Sequence, residues 1–181
     1  MVEFGAMESD EQKLIEKAKN GDKEAFGDVY KLFVQRVFRF VYYMTGDRLS
    51  AEDITQNTFV KAWRNIALYN PERGRVATFL FAVARNLVID EQRKKKNISL
   101  EKTGEIETGD DAIERLSRIE ARESVTKIMK SLDEYEKQFL ILRYFEELSF
   151  GQISSIFGMK ETAVRVRVYR ILRKLKKIYN L

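Results

Sequence analysis

The chain has 181 residues, 33 Lys and Arg against 28 Asp and Glu for a net charge of +5, and 44% hydrophobic residues. That length suits one large domain or two small ones, and the apolar share supports real cores and excludes a disordered chain. With no cysteine and no histidine, disulfides, Cys or His metal sites, thiol nucleophiles and a histidine general base are excluded. A single proline, Pro71, and sparse β-runs favour an all-α fold. The polar, acidic start through Glu11 has no apolar stretch of the signal-peptide kind. The longest apolar run, Val76 to Ala84, is nine residues, too short to span a bilayer. No membrane insertion is expected.

In chain order, a first helix is expected around Glu11 to Lys19, stopped by Asn20-Gly21. A second runs from about Lys23 to Met44, with Phe26, Val29, Tyr30, Phe33, Val37, Phe40 and Val41 on its inner stripe; Thr45-Gly46-Asp47 ends it. Ser50 is the expected cap of a third helix, with Glu52 and Asp53 opposing the dipole in its first turn. That helix is expected to reach about Leu68. The stretch from Asn70 to Gly74 reads as a loop, and a fourth helix is expected from Val76 to about Lys95. Residues 97–114 hold six acids, one lysine and two glycines, which reads as a solvated, flexible tether leaving its flanks separately mobile. From about Ile119 onward a small bundle is expected, with Val125, Ile128, Met129 and Leu132 as one stripe, then Phe139, Leu140, Leu142 and Tyr144.

The last thirty-odd residues are the most informative. In the stretch from Leu148 to Leu175 the apolar positions keep helical spacing, broken once at Gly158. A short helix, a tight turn and a longer helix is the helix-turn-helix plan. Gly158 stands where the turn wants a positive φ, and Val164 and Val168 can seal the second helix against the first. From Gly158 to Leu181 there are eight Lys or Arg and one acid, Glu161. Such a helix suits a phosphate-flanked major groove, although a basic amphipathic helix can equally be a solvated face.

Four strings, in order, resemble the extracytoplasmic-function (group 4) class of the sigma-70 family of bacterial RNA polymerase sigma factors. Residues 51–63, AEDITQNTFVKAW, resemble the family's polymerase-docking helix. Residues 78–90, TFLFAVARNLVID, resemble its −10 recognition helix. Residues 142–149, LRYFEELS, lead into the −35-reading helix-turn-helix. Asn57, Phe79 and Thr162-Ala163-Val164 depart from the usual acid, Trp and Gly-Thr-Val. The resemblance implies two small helical domains: a sigma-2-like bundle over residues 10–96 and a sigma-4-like helix-turn-helix bundle over 119–181. A flexible acidic linker over 97–118 would join them.

The resemblance also implies the partners. Core RNA polymerase, through its β′ and β subunits, would be met by the outward face of the docking helix: Asp53, Gln56, Asn57, Val60 and Arg64. Read from the residues alone, that face is an ordinary solvated one. Promoter DNA would be met twice. The opened −10 strand falls to Tyr69, Arg75, Phe79, Arg85, Asn86, Arg93 and Lys94, with Lys95 and Lys96 beside them. Asn86 offers donor and acceptor to a base edge, and aromatic rings beside a basic groove suit extruded bases. Phe79 is core or base contact with equal weight. The duplex −35 element falls to Lys160, Thr162, Arg165, Val166, Tyr169 and Arg170. An anti-sigma protein is implied as regulator, and a bacterial cytoplasm as compartment.

No metal-ligand cluster, phosphate loop or nucleophile–base pair is visible, so no cofactor, metal or catalytic residue is expected, and a nucleic-acid enzyme is the weakest reading. The main rival is a helix-turn-helix regulator that binds duplex DNA by itself, usually as a dimer reading paired half-sites.

Overall fold

The structure is a computed structural model that describes residues 3–71, 74–98, 125 and 127–179, with side chains from residue 10 onward and not for 95–98. Among the described residues every regular element is helical. The linker proposed over 97–118 lies outside them from residue 99 onward.

Helix α1 spans Glu3–Lys19 and α2 spans Lys23–Thr45. Asp22 starts α2 by accepting from the Ala25 amide at 3.0 Å. Gly46, at φ 65°, ends it with its N–H on the Tyr42 carbonyl, the left-handed cap that glycine adopts without a Cβ clash. Helix α3 spans Arg48–Arg64. Its cap is Asp47, not the expected Ser50: the Asp47 carboxylate accepts from the Ser50 amide at 2.8 Å, so Ser50 lies inside the first turn. The helix also stops earlier than expected. Asn65 turns its side-chain amide back onto the Lys61 carbonyl at 2.8 Å, and a 3-10 turn, Ile66–Leu68, follows. Helix α4 spans Val76–Ile98.

These four helices pack around Phe33, Phe40, Leu80 and Phe81, all with essentially no exposure. The Phe40 and Phe81 rings meet edge-on at 5.5 Å, the geometry aromatic quadrupoles favour. Phe59 and Trp63 turn inward from α3 onto Tyr30 and Phe26, which leaves the opposite face of α3 to solvent.

After residues 127–130, which are helical, α5 spans Glu134–Leu140, opened by an Asp133–Glu136 capping box. It continues into a wider turn over Ile141–Phe145, where the Glu146 amide reaches the Ile141 carbonyl at 3.0 Å. Helix α6 spans Phe150–Phe157, with a second capping box from Ser149 and Gln152. Gly158 turns the chain at φ 62°, and α7 spans Glu161–Tyr179. Val164, Val168, Ile171 and Leu175 bury one stripe of α7, while the Phe139 and Phe157 rings stack 4.1 Å apart beneath it.

The two groups of helices are in contact, which the reading of separately mobile bundles did not anticipate. Tyr43 of α2 meets Phe145 at 5.2 Å. Arg36 and Arg39 of α2 both pair with Glu146, whose side chain has no exposure. Arg85 of α4 donates to Gln138 of α5 at 2.8 Å. These pairs are separated by 53 to 110 positions in the chain, so no local pattern announces them.

Candidate nucleic-acid interface

Three surfaces carry the residues that the sequence singled out. On α3, Asp53, Gln56, Asn57, Val60 and Arg64 are all exposed along one face. The face is further organised within itself: the Asn57 side-chain amide donates to the Asp53 carboxylate at 3.0 Å, one helical turn away. Behind it Asp53, Ile54 and Asn57 share a groove of about 380 Å³ with Leu87, Asp90, Glu91, Arg93 and Lys94 of α4. The α3 face and the basic end of α4 are therefore walls of one groove.

The second surface is built on the start of α4 and the loop before it. A hollow of about 450 Å³ is lined by Leu68, Tyr69, Asn70, Gly74, Arg75, Thr78, Phe79 and Ala82, with Ser155 of α6 at its edge. Tyr69 is buried, and its ring meets half-buried Phe79 edge-on at 5.8 Å. Burial, then the nearby Glu16 and Glu11 carboxylates, push the Tyr69 phenol above its ordinary value. Lys19 fixes the loop from α1 by donating to the Tyr69 carbonyl at 3.0 Å. Gly74 lies close on the helix, where a Cβ would stand 3.1 Å from Thr78, and its φ of 149° disfavours a side chain. The Thr78 hydroxyl is buried without a hydrogen-bond partner among the described residues.

Farther along α4, Asn86, Arg93 and Lys94 are exposed, and the side chains of Lys95 and Lys96 lie outside the described residues. Arg85 is not free on this face. Its guanidinium lies 4.3 Å from the centre of the Phe157 ring while it donates to Gln138. Burial lowers its affinity for a proton, but an arginine stays charged throughout the working range.

The third surface is α7. Lys160, Thr162, Arg165, Val166, Tyr169 and Arg170 are all exposed. Arg165 is braced: its Nε donates to Glu161 at 3.0 Å and its guanidinium lies 4.7 Å from the Phe150 ring centre. Arg167 turns the other way, over Tyr135 of α5 at 4.9 Å, and Lys174 pairs with Glu136. So the cations of α7 divide into a set that ties it to α5 and an outward set. The outward set includes Arg173, exposed one turn beyond Tyr169 and Arg170, which the motif reading passed over. The spacing Val166, Tyr169, Arg173 was the signal available for it.

A helix with one solvent face, an aromatic-lined hollow at the start of α4, and a basic, braced helix after a glycine turn follow one another along the chain. Residues 29–98 match the family model for sigma-70 region 2, and residues 122–175 match that for sigma-70 region 4. The ECF RNA polymerase sigma factor SigW of Bacillus subtilis is 31% identical, with 92% of this chain and 95% of SigW covered. The chain belongs to the ECF sigma factors of the sigma-70 family.

SigM of the same bacterium is 32% identical over 84% of this chain and 94% of its own length. BldN of Streptomyces coelicolor is 28% identical, and the chain spans 64% of that longer protein. Among solved structures, CnrH in complex with the cytosolic domain of CnrY has the same fold. Its TM-score is 0.71 at 19% identity, covering 94% of this chain and 97% of that one. No helix among the described residues of this sigma factor is long and apolar enough to cross a membrane.

Proposed function

We propose that this ECF sigma factor binds core RNA polymerase through the α3 face and directs it to promoters with two DNA-reading surfaces. The hollow before α4, with Asn86, Arg93 and Lys94 beyond it, holds bases of the opened −10 strand. The outward face of α7 reads the duplex −35 element. The polymerase performs the chemistry, so the chain is a specificity subunit and not an enzyme. It would work in the cytoplasm, divided as 10–96, 97–118 and 119–181, and an anti-sigma protein would hold it inactive.

The observation that carries this reading is the pairing of unlike surfaces in one chain. A helix-turn-helix protein that acts alone needs α7 and a dimer contact. It has no use for a capped helix with a solvent face such as Asp53–Arg64, nor for an aromatic-lined hollow at the start of α4. A protein that must keep DNA open needs such a hollow, because an extruded base loses its stacking and must regain contacts elsewhere.

The test is reconstitution. Purified chain is added to core polymerase with genomic DNA as template, and RNA 5′ ends are sequenced. Start sites sharing two spaced upstream elements support the reading. DNA binding by the chain alone, with no initiation, supports the lone-regulator alternative.

A further inference from the structure

Glu146 is the most buried charge in the contact between the two helix groups. Its carboxylate accepts from Arg36 Nε at 2.9 Å and from Arg39 Nη2 at 2.7 Å, with no exposure of its side chain. Arg36 Nη2 also donates to the Glu146 carbonyl at 3.0 Å. The wide turn over Ile141–Phe145 delivers Glu146 to this place, and the next residue, Glu147, sits at φ 55° without being a glycine. Strained backbone beside a buried, doubly paired carboxylate marks a contact that the surrounding structure has to hold in place.

At the other end of the same contact α6 lies over the start of α4. Ser155 edges the hollow formed with Tyr69, Asn70, Arg75 and Phe79. Arg85, a candidate for the −10 strand, is committed to Gln138 and Phe157, and Gln92 donates to Glu134 at 3.0 Å. A DNA strand on this face of α4 would compete with helices α5 and α6 for the same side chains.

We propose that the free chain closes on itself: Glu146 latches α2 through Arg36 and Arg39, and the closure holds α6 over the strand-binding face of α4. This rests on the assignment of that face to promoter DNA only for its consequence; the latch itself is a property of the free chain. Each arginine is partly exposed, at 33% and 45%, so both regain water on opening. The carboxylate regains it too, so the closed and open states can lie close in free energy, as a device that polymerase must open requires.

The chain has no cysteine, so a spin-label pair at Lys31→Cys and Lys176→Cys, both exposed, reports the distance between α2 and α7 by pulsed electron resonance. In the otherwise unchanged full-length chain a single narrow distance is expected. Arg36→Glu with Arg39→Glu should raise the population at longer distances by about tenfold or more, the scale of a lost two-state bias. Adding Glu146→Arg to that pair should restore the narrow distribution. Far-UV circular dichroism checks folding, and if the reversed pair unfolds, Glu146→Gln on the same labels should broaden the distribution instead. A broad distribution in the unchanged chain, a narrow one in the variant, or no recovery on reversing Glu146 each overturns the latch. None of these readings involves polymerase, so the proposed function stands or falls separately.

Discussion

The Arg85 guanidinium lies 4.3 Å from the centre of the Phe157 ring, joining α4 to α6 across the boundary between the two family regions. Its Nε donates to Gln138, which is 3% exposed. Arg85→Ala removes the cation–π contact and leaves a buried acceptor without its donor. The first is worth about 1 kcal/mol and the second about 1–3 kcal/mol. Urea unfolding should therefore lose roughly 2–4 kcal/mol. Arg85→Lys should recover less than half, because an ammonium lacks the planar fork that stacks and donates together.

Asn57 stands where the family usually carries an acid, and it donates to Asp53. Asp53→Ala with Gln56→Ala should weaken binding to core polymerase in competition with another sigma factor. Both residues are exposed, so stability should change by no more than about 0.5 kcal/mol. Asn57→Asp puts two carboxylates one turn apart and should cost helix stability by about 0.2–0.5 kcal/mol. Unchanged polymerase affinity in the double variant would remove α3 from the proposed interface.

Gly158 turns α6 into α7 at φ 62°, and a Cβ there would meet nothing within 4 Å. Gly158→Ala therefore tests backbone conformation with no steric clash. A loss of about 1–2 kcal/mol in unfolding free energy is expected from the left-handed conformation. A loss near zero would mean that the turn rearranges, and α7 should then show altered DNA affinity.

Tyr69 is buried and its phenol is held protonated above its ordinary value of 10.0 by burial, then by Glu16 and Glu11. The folded state thus keeps its proton to higher pH than the unfolded state. Where the two differ, the unfolded chain binds fewer protons, so stability falls as pH rises through and above 10, and Tyr69 imposes no slope below that. Tyr69→Phe should flatten the fall in stability as pH rises through and above 10, relative to the unchanged chain. Parallel urea midpoints for the two proteins decide it.

The fold was legible because its signals are local. Helix α2 shows its stripe from Val29 to Val41, and α7 shows Val164, Val168, Ile171 and Leu175 at helical spacing; the structure buries both. The α3 cap was misread by three residues because Asp47 and Ser50 are both good caps, and only geometry separates them. The contact through Arg36, Arg39 and Glu146 was not legible. Glu146 reads as one more polar residue before a helix, and its partners lie 107 and 110 positions away. Arg85 was read as an outward cation for the same reason: period alone cannot show that another helix covers a face. Nor can period show that the aromatic rings of α5 draw Arg167 away from the outward face of α7.

The two DNA-reading surfaces should fail in different ways. Asn86 is exposed on α4, beyond the hollow lined by Tyr69 and Phe79, and its amide can pair with the edge of an unstacked base. Arg165 is braced by Glu161 and Phe150 at the start of α7, where a helix N-terminal turn meets base edges of an intact groove. Asn86→Ala should slow open-complex formation on a duplex promoter, and the defect should shrink on a template already melted around the start site. Arg165→Ala should weaken binding of the upstream duplex by about 1–3 kcal/mol, the value of a bidentate base contact, and be indifferent to melting. Binding by the unchanged chain and by both variants should weaken as salt rises, because phosphate contacts from cations such as Lys94 and Arg170 supply the common affinity. Permanganate reactivity of the start region, measured for both variants on both templates, separates the roles. Normal opening with Asn86→Ala together with normal upstream binding with Arg165→Ala would mean that the surfaces are assigned to the wrong residues.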